Sequence, residues 1–153
     1  ITGLLGRTGI VISSCVFCNI ANKLESTEIL YEDEEVCVFS DIKPASRFHI
    51  LVVPKRHIED VKCLTSADKE LGMSFCRKNT YHKDTRLGYH WPPFRSVRHL
   101  HLHAIAPESQ MGYISRLVFL KNSYWFVSVS VPAINSINDL LWFLNMEVSV
   151  RYV

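Results

Sequence analysis

Three histidines occupy alternate positions in one short segment, at His99, His101 and His103, with Leu100 and Leu102 between them. Because alternate side chains of a β-strand share a face, this spacing predicts a strand with three imidazoles on one side and leucines on the other. Alternate residues lie roughly 6 to 7 Å apart, so the row spans about the length of a phosphate with its ester and leaving group. Neighbouring imidazoles, partly cationic near neutral pH, repel one another unless an anion, a metal ion or fixed tautomers compensate. The segment therefore predicts a site for an anionic ligand.

A catalytic metal ion is the alternative interpretation of this row. Two histidines two positions apart on a strand can chelate Zn²⁺, with a third ligand and a water completing the site. Metal-ligating histidines usually donate their second ring nitrogen to a carboxylate or a carbonyl. The first acidic residue after the row is Glu108, so no carboxylate close in sequence is expected to orient the rings. The pattern favours the anion, and the metal site stays open as the alternative.

The composition predicts one folded domain and excludes several classes of function. The chain has 153 residues, of which 48% are hydrophobic and 21% are charged, close to globular averages. A formal charge of +2 is too small for nonspecific nucleic-acid binding, and no apolar run reaches the roughly 18 residues that a membrane span requires. We therefore expect neither a membrane nor a nucleic acid as a partner.

Cysteine usage indicates the compartment. Five cysteines cannot all pair within the chain, and a domain of this length does not need disulfides to bury a core. A reducing compartment is therefore expected, and we predict a cytoplasmic protein that also occurs in the nucleus.

Most of the elements predicted around the row are strands. A hairpin signal is formed by Ile29–Glu32 and Val36–Ser40, which flank an acidic turn. Residues 47–54 are rich in β-branched and aromatic types and end at a proline, which predicts a half-buried or central strand. The alternating run that carries the histidines predicts a strand over 97–107.

The other segments are less strand-like. A capping-box start at Thr65 and the helical spacing of apolar residues predict the main helix over 67–77. Two prolines in 88–94 exclude a helix and predict an edge or a loop. Over 113–127 the periodicity does not distinguish a strand from a helix followed by a strand.

Five blocks of sequence, in the same order along the chain, resemble the histidine triad nucleotide hydrolases. They are CVFCNI from residue 15, FSDIKP from residue 39, HILVVPKRH from residue 49, the serine Ser96, and HLHLHAI from residue 99. The similarity is greatest to the Hint branch of the family, where HWPPF and NSYWF resemble a third animal subgroup. The resemblance covers about 15–127, which leaves 1–14 as a flexible arm and 128–153 as a tail of unknown structure.

The resemblance implies an α+β fold with a five-stranded antiparallel sheet and one main helix, in a homodimer whose sheet is continuous. It also implies hydrolysis of purine nucleoside 5′-phosphoramidates, in which an amine is cleaved from the α-phosphate of AMP. A neutral imidazole is a good nucleophile near pH 7 when a hydrogen bond holds its second nitrogen, so a covalent nucleotidyl-histidine intermediate is chemically reasonable. The implied partner is a purine nucleotide substrate, and no cofactor is expected.

Carried onto this chain, the resemblance assigns four catalytic positions. His101 would be the nucleophile, and His103 and Ser96 would contact the α-phosphate or the leaving group. His49 would assist from the neighbouring strand. Such donors neutralise the charge that develops on the phosphoryl oxygens. On its own, His49 is equally explained as a hydrogen-bonded core histidine.

The resemblance also assigns nucleotide-binding positions. Asp41 would accept hydrogen bonds from the ribose hydroxyls, which suits a carboxylate with two oxygens. Phe17, Ile20 and Ile42 would form the apolar slot for the base, and His99 would complete the nucleotide site. The alternatives are ordinary ones, because an aspartate before a proline-containing turn is commonly a turn residue and apolar residues are commonly core.

Cys15 and Cys18 form a C-x-x-C pair that has two interpretations. With His57 and His99 the pair could close a structural Cys₂His₂ zinc site, which is similar to some members of the family. The alternative is two buried thiols that act as small hydrophobic residues. Only two of the four ligands have a diagnostic spacing, so the sequence favours the thiols.

Departures from the family pattern leave two other functions open. The stretch between His57 and His99 is shorter than the helical stretch of Hint-type proteins, which would fit a catalytically impaired nucleotide-binding or scaffold module. Tyr89 and His90 before the triad also resemble aprataxin-like DNA deadenylases. No cysteine follows Cys76 in this sequence, which disfavours the zinc finger expected of such enzymes.

Overall fold

The computed structural model describes residues 14–65, 68 and 84–129. Three predictions from the sequence lie wholly or largely outside these residues: the arm at 1–14, the main helix at 67–77 and the tail at 128–153. These three stay predictions.

The fold is built on a six-stranded antiparallel sheet. Its strands along the chain are β1 (Ile29–Glu32), β2 (Val36–Ser40), β3 (Phe48–Pro54), β4 (Arg86–His90), β5 (Leu102–Ala106) and β6 (Phe126–Ser128). Their order across the sheet is β1-β2-β3-β5-β4-β6, and every neighbouring pair is antiparallel. The expected α+β class with an antiparallel sheet is confirmed, and the short edge strand β6 adds one strand to the five expected.

The hairpin predicted from the acidic turn is confirmed with the expected limits. Asp33 closes the turn, because its Oδ1 accepts hydrogen bonds from the backbone N–H groups of Glu35 and Val36 at 2.9 and 2.8 Å. The strand predicted over 47–54 is also confirmed and begins one residue later, at Phe48. It lies inside the sheet between β2 and β5, and a strand buried on both faces is apolar at consecutive positions.

The strand predicted for the histidine row is confirmed only in its second half. The β5 ladder begins at Leu102, so His99 and His101 lie just before it. The backbone N–H of Leu100 donates to the carbonyl of Ile58, which lies outside the sheet, at 2.7 Å. The prediction is wrong before β5 because this contact replaces a ladder hydrogen bond, and spacing alone does not reveal it.

The proline-containing segment 88–94 is not an edge throughout. Its first three residues end β4, an interior strand that pairs with β5 on one side and with β6 on the other. The expected loop begins after His90, where Pro92 and Pro93 lie in a turn. Proline has no N–H to donate, so the ladder cannot continue through these residues.

The sheet register places His103 in the middle of one face. His103 pairs with Leu51 on β3 and with Gly88 on β4, and residues paired in this way point to the same side. A Cβ at Gly88 would lie 2.4 Å from the carbonyl oxygen of Val127 and 2.5 Å from the ring of Phe126. Glycine is therefore required here by the close approach of β6.

The opposite face of the sheet is apolar, as the alternating pattern predicts. Leu102 and Ala104 alternate with the histidines and belong to a separate buried cluster. The other buried members of this cluster are Val36, Val38, Val52 and Leu87. The division into an imidazole side and an apolar side is confirmed within β5, whereas Leu100, before the strand, belongs to another buried cluster with Ile58 and Val61.

Two short α-helices accompany the sheet in the part of the chain that the structure describes. Helix α1 (Val16–Ala21) buries Phe17, Cys18 and Ile20 in the core cluster on the histidine side. Helix α2 (Tyr113–Val118) precedes β6, so the undecided segment is a helix followed by a strand. Within the described ranges, no helix is long and apolar enough to cross a membrane.

Candidate active site

The last two histidines of the row lie in a buried group of rings. The ring centroids of His101 and His103 are 4.8 Å apart, and Phe17 of α1 packs edge-on against His101 at 5.1 Å. On its other side His103 contacts the rings of His49 and His90, at 5.1 and 4.9 Å. His101 and His103 are 5% and 4% exposed, so the placement of each ring proton depends on a few short contacts.

The tautomer of His101 is set by its own backbone. Nδ1 of His101 lies 2.6 Å from the carbonyl oxygen of His99, and because a carbonyl can only accept, Nδ1 carries the proton and donates it. Burial lowers the pKa of His101, so the ring is neutral near pH 7. The lone pair is then on Nε2, to which no other described residue donates. This is the form of imidazole that a nucleophile requires.

The tautomer of His103 is set by a chain of two hydrogen bonds. The backbone N–H of Ala45 donates to Nδ1 of His49 at 3.1 Å, so the proton of neutral His49 is on Nε2. Nε2 of His49 lies 2.9 Å from Nδ1 of His103, which must accept. The proton of His103 is therefore on Nε2, a buried nitrogen with no hydrogen-bond partner among the described residues. Burial lowers the pKa of His49 and holds the pKa of His103 well below its ordinary value.

The two neighbouring rings therefore offer opposite groups. His101 has a free lone pair, and His103 has a free N–H donor. Substitution at phosphorus needs a nucleophile and needs donors for the charge that develops on the phosphoryl oxygens. Buried polar atoms are nearly always hydrogen-bonded, so the unpartnered Nε2 of His103 indicates a place for a ligand atom.

Asp41 lies at the end of β2 and faces the same pair of imidazoles. Its Oδ1 accepts the backbone N–H of Lys43 at 2.7 Å, so it is a turn residue, as one interpretation of the sequence expects. Its Oδ2 lies 3.5 Å from Nε2 of His49 and 3.9 Å from Nδ1 of His103. The side chain is 16% exposed. The ribose contact expected for Asp41 stays a prediction.

His90 belongs to the ring group although the sequence analysis assigned it no role in this site. It ends β4, its Nδ1 donates to the carbonyl oxygen of Trp125 at 3.2 Å, and burial lowers its pKa. Its ring also packs against Phe119 and Phe126. Its position two residues after Gly88 would place His90 near His103, but only if the pairing of Gly88 with His103 is already known.

The residues expected to hold the base differ in their exposure. Phe17 and Ile20 are buried in the core beside α1, whereas Ile42 is 93% exposed. Ser96 is exposed and lines a cavity of about 500 Å³ together with Cys15 and His57. The roles of these residues and of His99 stay predictions.

The first histidine of the row belongs to a different cluster. Nδ1 of His99 lies 3.3 Å from Sγ of Cys15 and 3.5 Å from Sγ of Cys18. Nδ1 of His57 lies 3.2 Å from Sγ of Cys18. All four of these atoms lie within 4.8 Å of one another. Cys15 and Cys18 are at the start of α1, and His57 follows β3, so the cluster joins three separate parts of the chain.

The donor set of this cluster fits a structural Zn²⁺. Tetrahedral bonds of about 2.3 Å to sulfur and about 2.0 Å to nitrogen put the two ligand atoms roughly 3.6 Å apart, close to the distances found. Nε2 of His99 donates to the carbonyl oxygen of Pro54 at 2.9 Å, which directs the lone pair of Nδ1 toward the sulfurs. Burial lowers the pKa of His99 to about 4, and a metal requires the neutral ring. The geometry fits the zinc interpretation better than two packed thiols.

A second group of potential ligands fits a metal less well. Asp41, His49 and His103 also bring three ligand atoms within 4.8 Å. However, Nδ1 of His49 accepts the N–H of Ala45, and its Nε2 carries the proton shared with His103. A metal ion would have to displace that proton, so this group is better described as a hydrogen-bonded chain.

Comparison with known proteins gives a consistent family. The protein family described as "Scavenger mRNA decapping enzyme C-term binding" matches residues 14–118. A Xenopus tropicalis protein named adenosine 5′-monophosphoramidase HINT3 is 48% identical over 125 residues, which cover 75% of this chain and 82% of that protein. An Arabidopsis thaliana protein named bifunctional adenosine 5′-phosphosulfate phosphorylase/adenylylsulfatase HINT4 is 40% identical over 120 residues, covering 72% and 80%.

A solved structure agrees with these relatives. The histidine triad protein of Clostridium difficile superposes with a TM-score of 0.59 at 27% identity, over 68% of this chain and 99% of that one. The fold expected from the resemblance is therefore confirmed. The matched segment contains the entire row of histidines and the strands that position it. The chain belongs to the histidine triad family, in its Hint branch.

Proposed function

We propose that this chain hydrolyses adenosine 5′-phosphoramidates, releasing AMP and an amine through a nucleotidyl intermediate on His101. One observation carries the proposal: the rings of His101 and His103 lie 4.8 Å apart between centroids, and the first has a free lone pair on Nε2 whereas the second has a free N–H on Nε2. The names of relatives add support, since the similar proteins of Xenopus tropicalis and Mus musculus are adenosine 5′-monophosphoramidases.

In the first step, Nε2 of His101 attacks the α-phosphorus. A bond forms between that nitrogen and phosphorus while the bond between phosphorus and the amine nitrogen breaks. The departing amine takes up one proton from solvent. The N–H of His103 donates to a phosphoryl oxygen and stabilises the charge that develops there. The N–H of His101 stays bonded to the carbonyl of His99, which holds the ring in line with the phosphorus.

In the second step, a water oxygen attacks the same phosphorus. The bond between phosphorus and His101 breaks, AMP leaves, and one proton returns to solvent. The two steps together consume one water, and the intermediate divides one difficult displacement into two easier ones. His49 supports both steps by holding His103 in the tautomer that donates.

The remaining assignments follow the family resemblance. Asp41 accepts hydrogen bonds from the ribose hydroxyls, and the base lies against Phe17, Ile20 and Ile42. Ser96 adds a hydroxyl donor for the phosphate. Zn²⁺ bound by Cys15, Cys18, His57 and His99 would supply a cross-link between α1, β3 and the row. Its site would be filled by four protein ligands, so its contribution would be structural.

We also propose that the protein is a homodimer. Apolar side chains on and after α2 support a partner surface: Tyr113 is 78% exposed and Ile114 is 76% exposed. Nearby side chains that are also exposed are Leu117, Val118, Leu120 and Tyr124. Contiguous apolar surface of this kind commonly marks an interface. Sedimentation of the purified protein tests the assembly, and a monomer at micromolar concentration would contradict it.

Mass spectrometry of protein quenched during turnover tests the mechanism. Adenosine 5′-phosphoramidate is the substrate, and the expected result is a mass increase of one AMP moiety on the peptide that contains His101. The matched control is His101→Ala, which should bind AMP in calorimetry but form no adduct and release no amine. Normal turnover by this variant would refute the assignment of the nucleophile.

The same experiment distinguishes the binding-module alternative. Wild-type protein that binds AMP but neither forms an adduct nor releases an amine would be a nucleotide-binding module rather than a hydrolase. Release of AMP from an adenylated DNA end, without cleavage of the phosphoramidate, would instead identify the deadenylase alternative.

A further inference from the structure

We propose that Asp41 is a positioning residue for the His49–His103 pair, in addition to any contact that it makes with the ribose. The inference rests on the proposed function, because the pair acts there on the phosphoryl group. It starts from one geometric fact: Oδ2 of Asp41 lies 3.5 Å from Nε2 of His49 and 3.9 Å from Nδ1 of His103. The carboxylate therefore faces the hydrogen bond that sets the tautomer of His103.

His49 can hold its proton at only one nitrogen. The N–H of Ala45 points at Nδ1, so a second proton on that nitrogen would put two donors 3.1 Å apart. His49 is thus fixed as a neutral ring that donates from Nε2. Two acceptors lie in front of that donor, Nδ1 of His103 at 2.9 Å and the Asp41 carboxylate at 3.5 Å.

The Asp41 carboxylate provides a negatively charged acceptor, which the two neutral rings lack. When the phosphoryl group binds, its negative charge favours a proton on both nitrogens of His103, and the Nδ1 proton would then oppose the donor of His49. Asp41 can accept either of these two protons, because its Oδ2 is near both nitrogens. Its charge raises the pKa of His49, but burial lowers that pKa by more, so His49 stays the neutral donor.

Other titratable groups near the pair offer no such acceptor. In the described part of the chain, the titratable rings that contact His103 besides His49 are His101 and His90, and each donates its Nδ1 proton to a backbone carbonyl. An imidazole is either neutral or cationic near neutral pH, so neither ring supplies negative charge. Among the described residues, Asp41 supplies the acidic group that pairs with His49 and His103.

The position of Asp41 allows the charge to be removed without disturbing the turn. Oδ1 accepts the N–H of Lys43 at 2.7 Å, and an asparagine at this position keeps that oxygen. Asp41→Asn therefore removes the negative charge in front of His49 and retains the local hydrogen bond. Asp33→Asn is the matched control, because Asp33 also closes a turn through Oδ1, at the opposite end of β2.

The experiment separates the positioning role from a contact with the ribose. Wild type, Asp41→Asn and Asp33→Asn are each given adenosine 5′-phosphoramidate and its 2′,3′-dideoxy analogue. The analogue lacks the hydroxyls that Asp41 would bind, so a ribose role cannot affect its turnover. We expect Asp41→Asn to lower kcat at least about tenfold on both substrates, since an orienting carboxylate acts on the catalytic imidazole itself. Equal turnover of the analogue by wild type and Asp41→Asn would overturn the inference.

Nitrogen-15 NMR of the histidine rings provides a readout without substrate. We expect the signals of His49 Nε2 and His103 Nδ1 to move in Asp41→Asn and to stay in place in Asp33→Asn. Unchanged signals in both variants would overturn the positioning role. Wild type that cleaves neither substrate would refute the proposed function instead, and the ring signals would then decide the positioning role alone.

Discussion

The two ends of the histidine row differ in what their ring nitrogens contact. At His99 both nitrogens are engaged, Nδ1 by the cysteine sulfurs and Nε2 by the carbonyl of Pro54. At His101 and His103 one nitrogen of each ring is held, and the other has no hydrogen-bond partner among the described residues. Evenly spaced histidines thus divide into two ends, which we call the cross-linking end, after the metal ion that it would hold, and the reactive end, after its role in the proposed mechanism.

This difference shows that residue spacing determines the side on which an imidazole lies. Its hydrogen-bond partners determine which ring nitrogen is left free. The period of two puts all three imidazoles on one side of the segment. Their roles then depend on backbone groups from elsewhere in the fold: Pro54 for His99, and Ala45, through His49, for His103. A substitution that removes a free nitrogen should affect the reaction, whereas one that removes an engaged nitrogen should affect stability or metal binding.

The largest expected effect is at the reactive end. His103→Phe keeps an aromatic ring of similar size but has no donor at the position of Nε2. Removing one donor to a developing oxyanion costs about 100- to 1,000-fold in kcat, and we expect a loss of that size in amine release. His103→Gln retains a donor and should lose less activity.

The matched substitution at the other end is His99→Gln. The carbonyl that orients His101 belongs to the backbone of His99 and is retained, so kcat should fall far less than in His103→Phe. Equal losses in the two variants would contradict the division of the row, as would full activity in His103→Phe.

The effect of zinc on stability tests the cross-linking end of the row. At a free Zn²⁺ concentration one thousand times its Kd, binding stabilises the folded state by about 4 kcal/mol, a rise in Tm on the order of 10 °C for this size of protein. We expect this rise in wild type after removal of metals with a chelator. Cys18→Ser should abolish it, because Cys18 contacts both His57 and His99.

Cys37→Ser is the control for the metal experiment. Cys37 is buried on β2 and does not belong to the Cys₂His₂ group. Its variant should lose some stability but keep the rise in Tm with zinc. If Cys18→Ser and Cys37→Ser respond to zinc alike, the four residues do not form a metal site.

The sequence predicts well those elements whose limits are determined by residues within them or next to them. Asp33 and the acidic turn determine the hairpin of β1 and β2, and its limits are as predicted. Alternation predicts the two sides of β5, because there it depends only on strand geometry. Pro54 ends β3 at the expected residue.

The parts that the sequence predicts poorly depend on contacts between distant residues. The start of β5 is displaced by a hydrogen bond from Leu100 to Ile58. His90 reaches the site because β4 pairs with β5, and the sequence gives no register for that pair. The tautomer of His103 depends on one backbone N–H at Ala45. Each of these arrangements brings together residues that are close in space and distant in sequence.

A smaller effect is expected where β4 supports the reactive end. Gly88→Ala would put a methyl group 2.4 Å from the carbonyl oxygen of Val127, so β6 must move. Overpacking of this kind costs about 1 to 3 kcal/mol of unfolding free energy, which urea denaturation measures. Gly112→Ala is the control, because a Cβ there meets nothing within 4 Å. Equal stabilities for the two variants would contradict the close approach of β6.

The smallest expected effect of a single substitution is on the dependence of stability on pH. Burial lowers the pKa of His49, His90 and His103, and also that of His99 and His101, so the folded protein takes up fewer protons than the unfolded chain as the pH falls through about 6.5. Stability therefore falls as the pH falls from 7.5 to 6.0, by at most on the order of 1 kcal/mol for each ring. Denaturation at both pH values, with a chelator present, measures this slope. His90→Phe removes one of these rings and should make the slope less steep, whereas a protein that becomes more stable at pH 6.0 would show that the rings are charged in the fold.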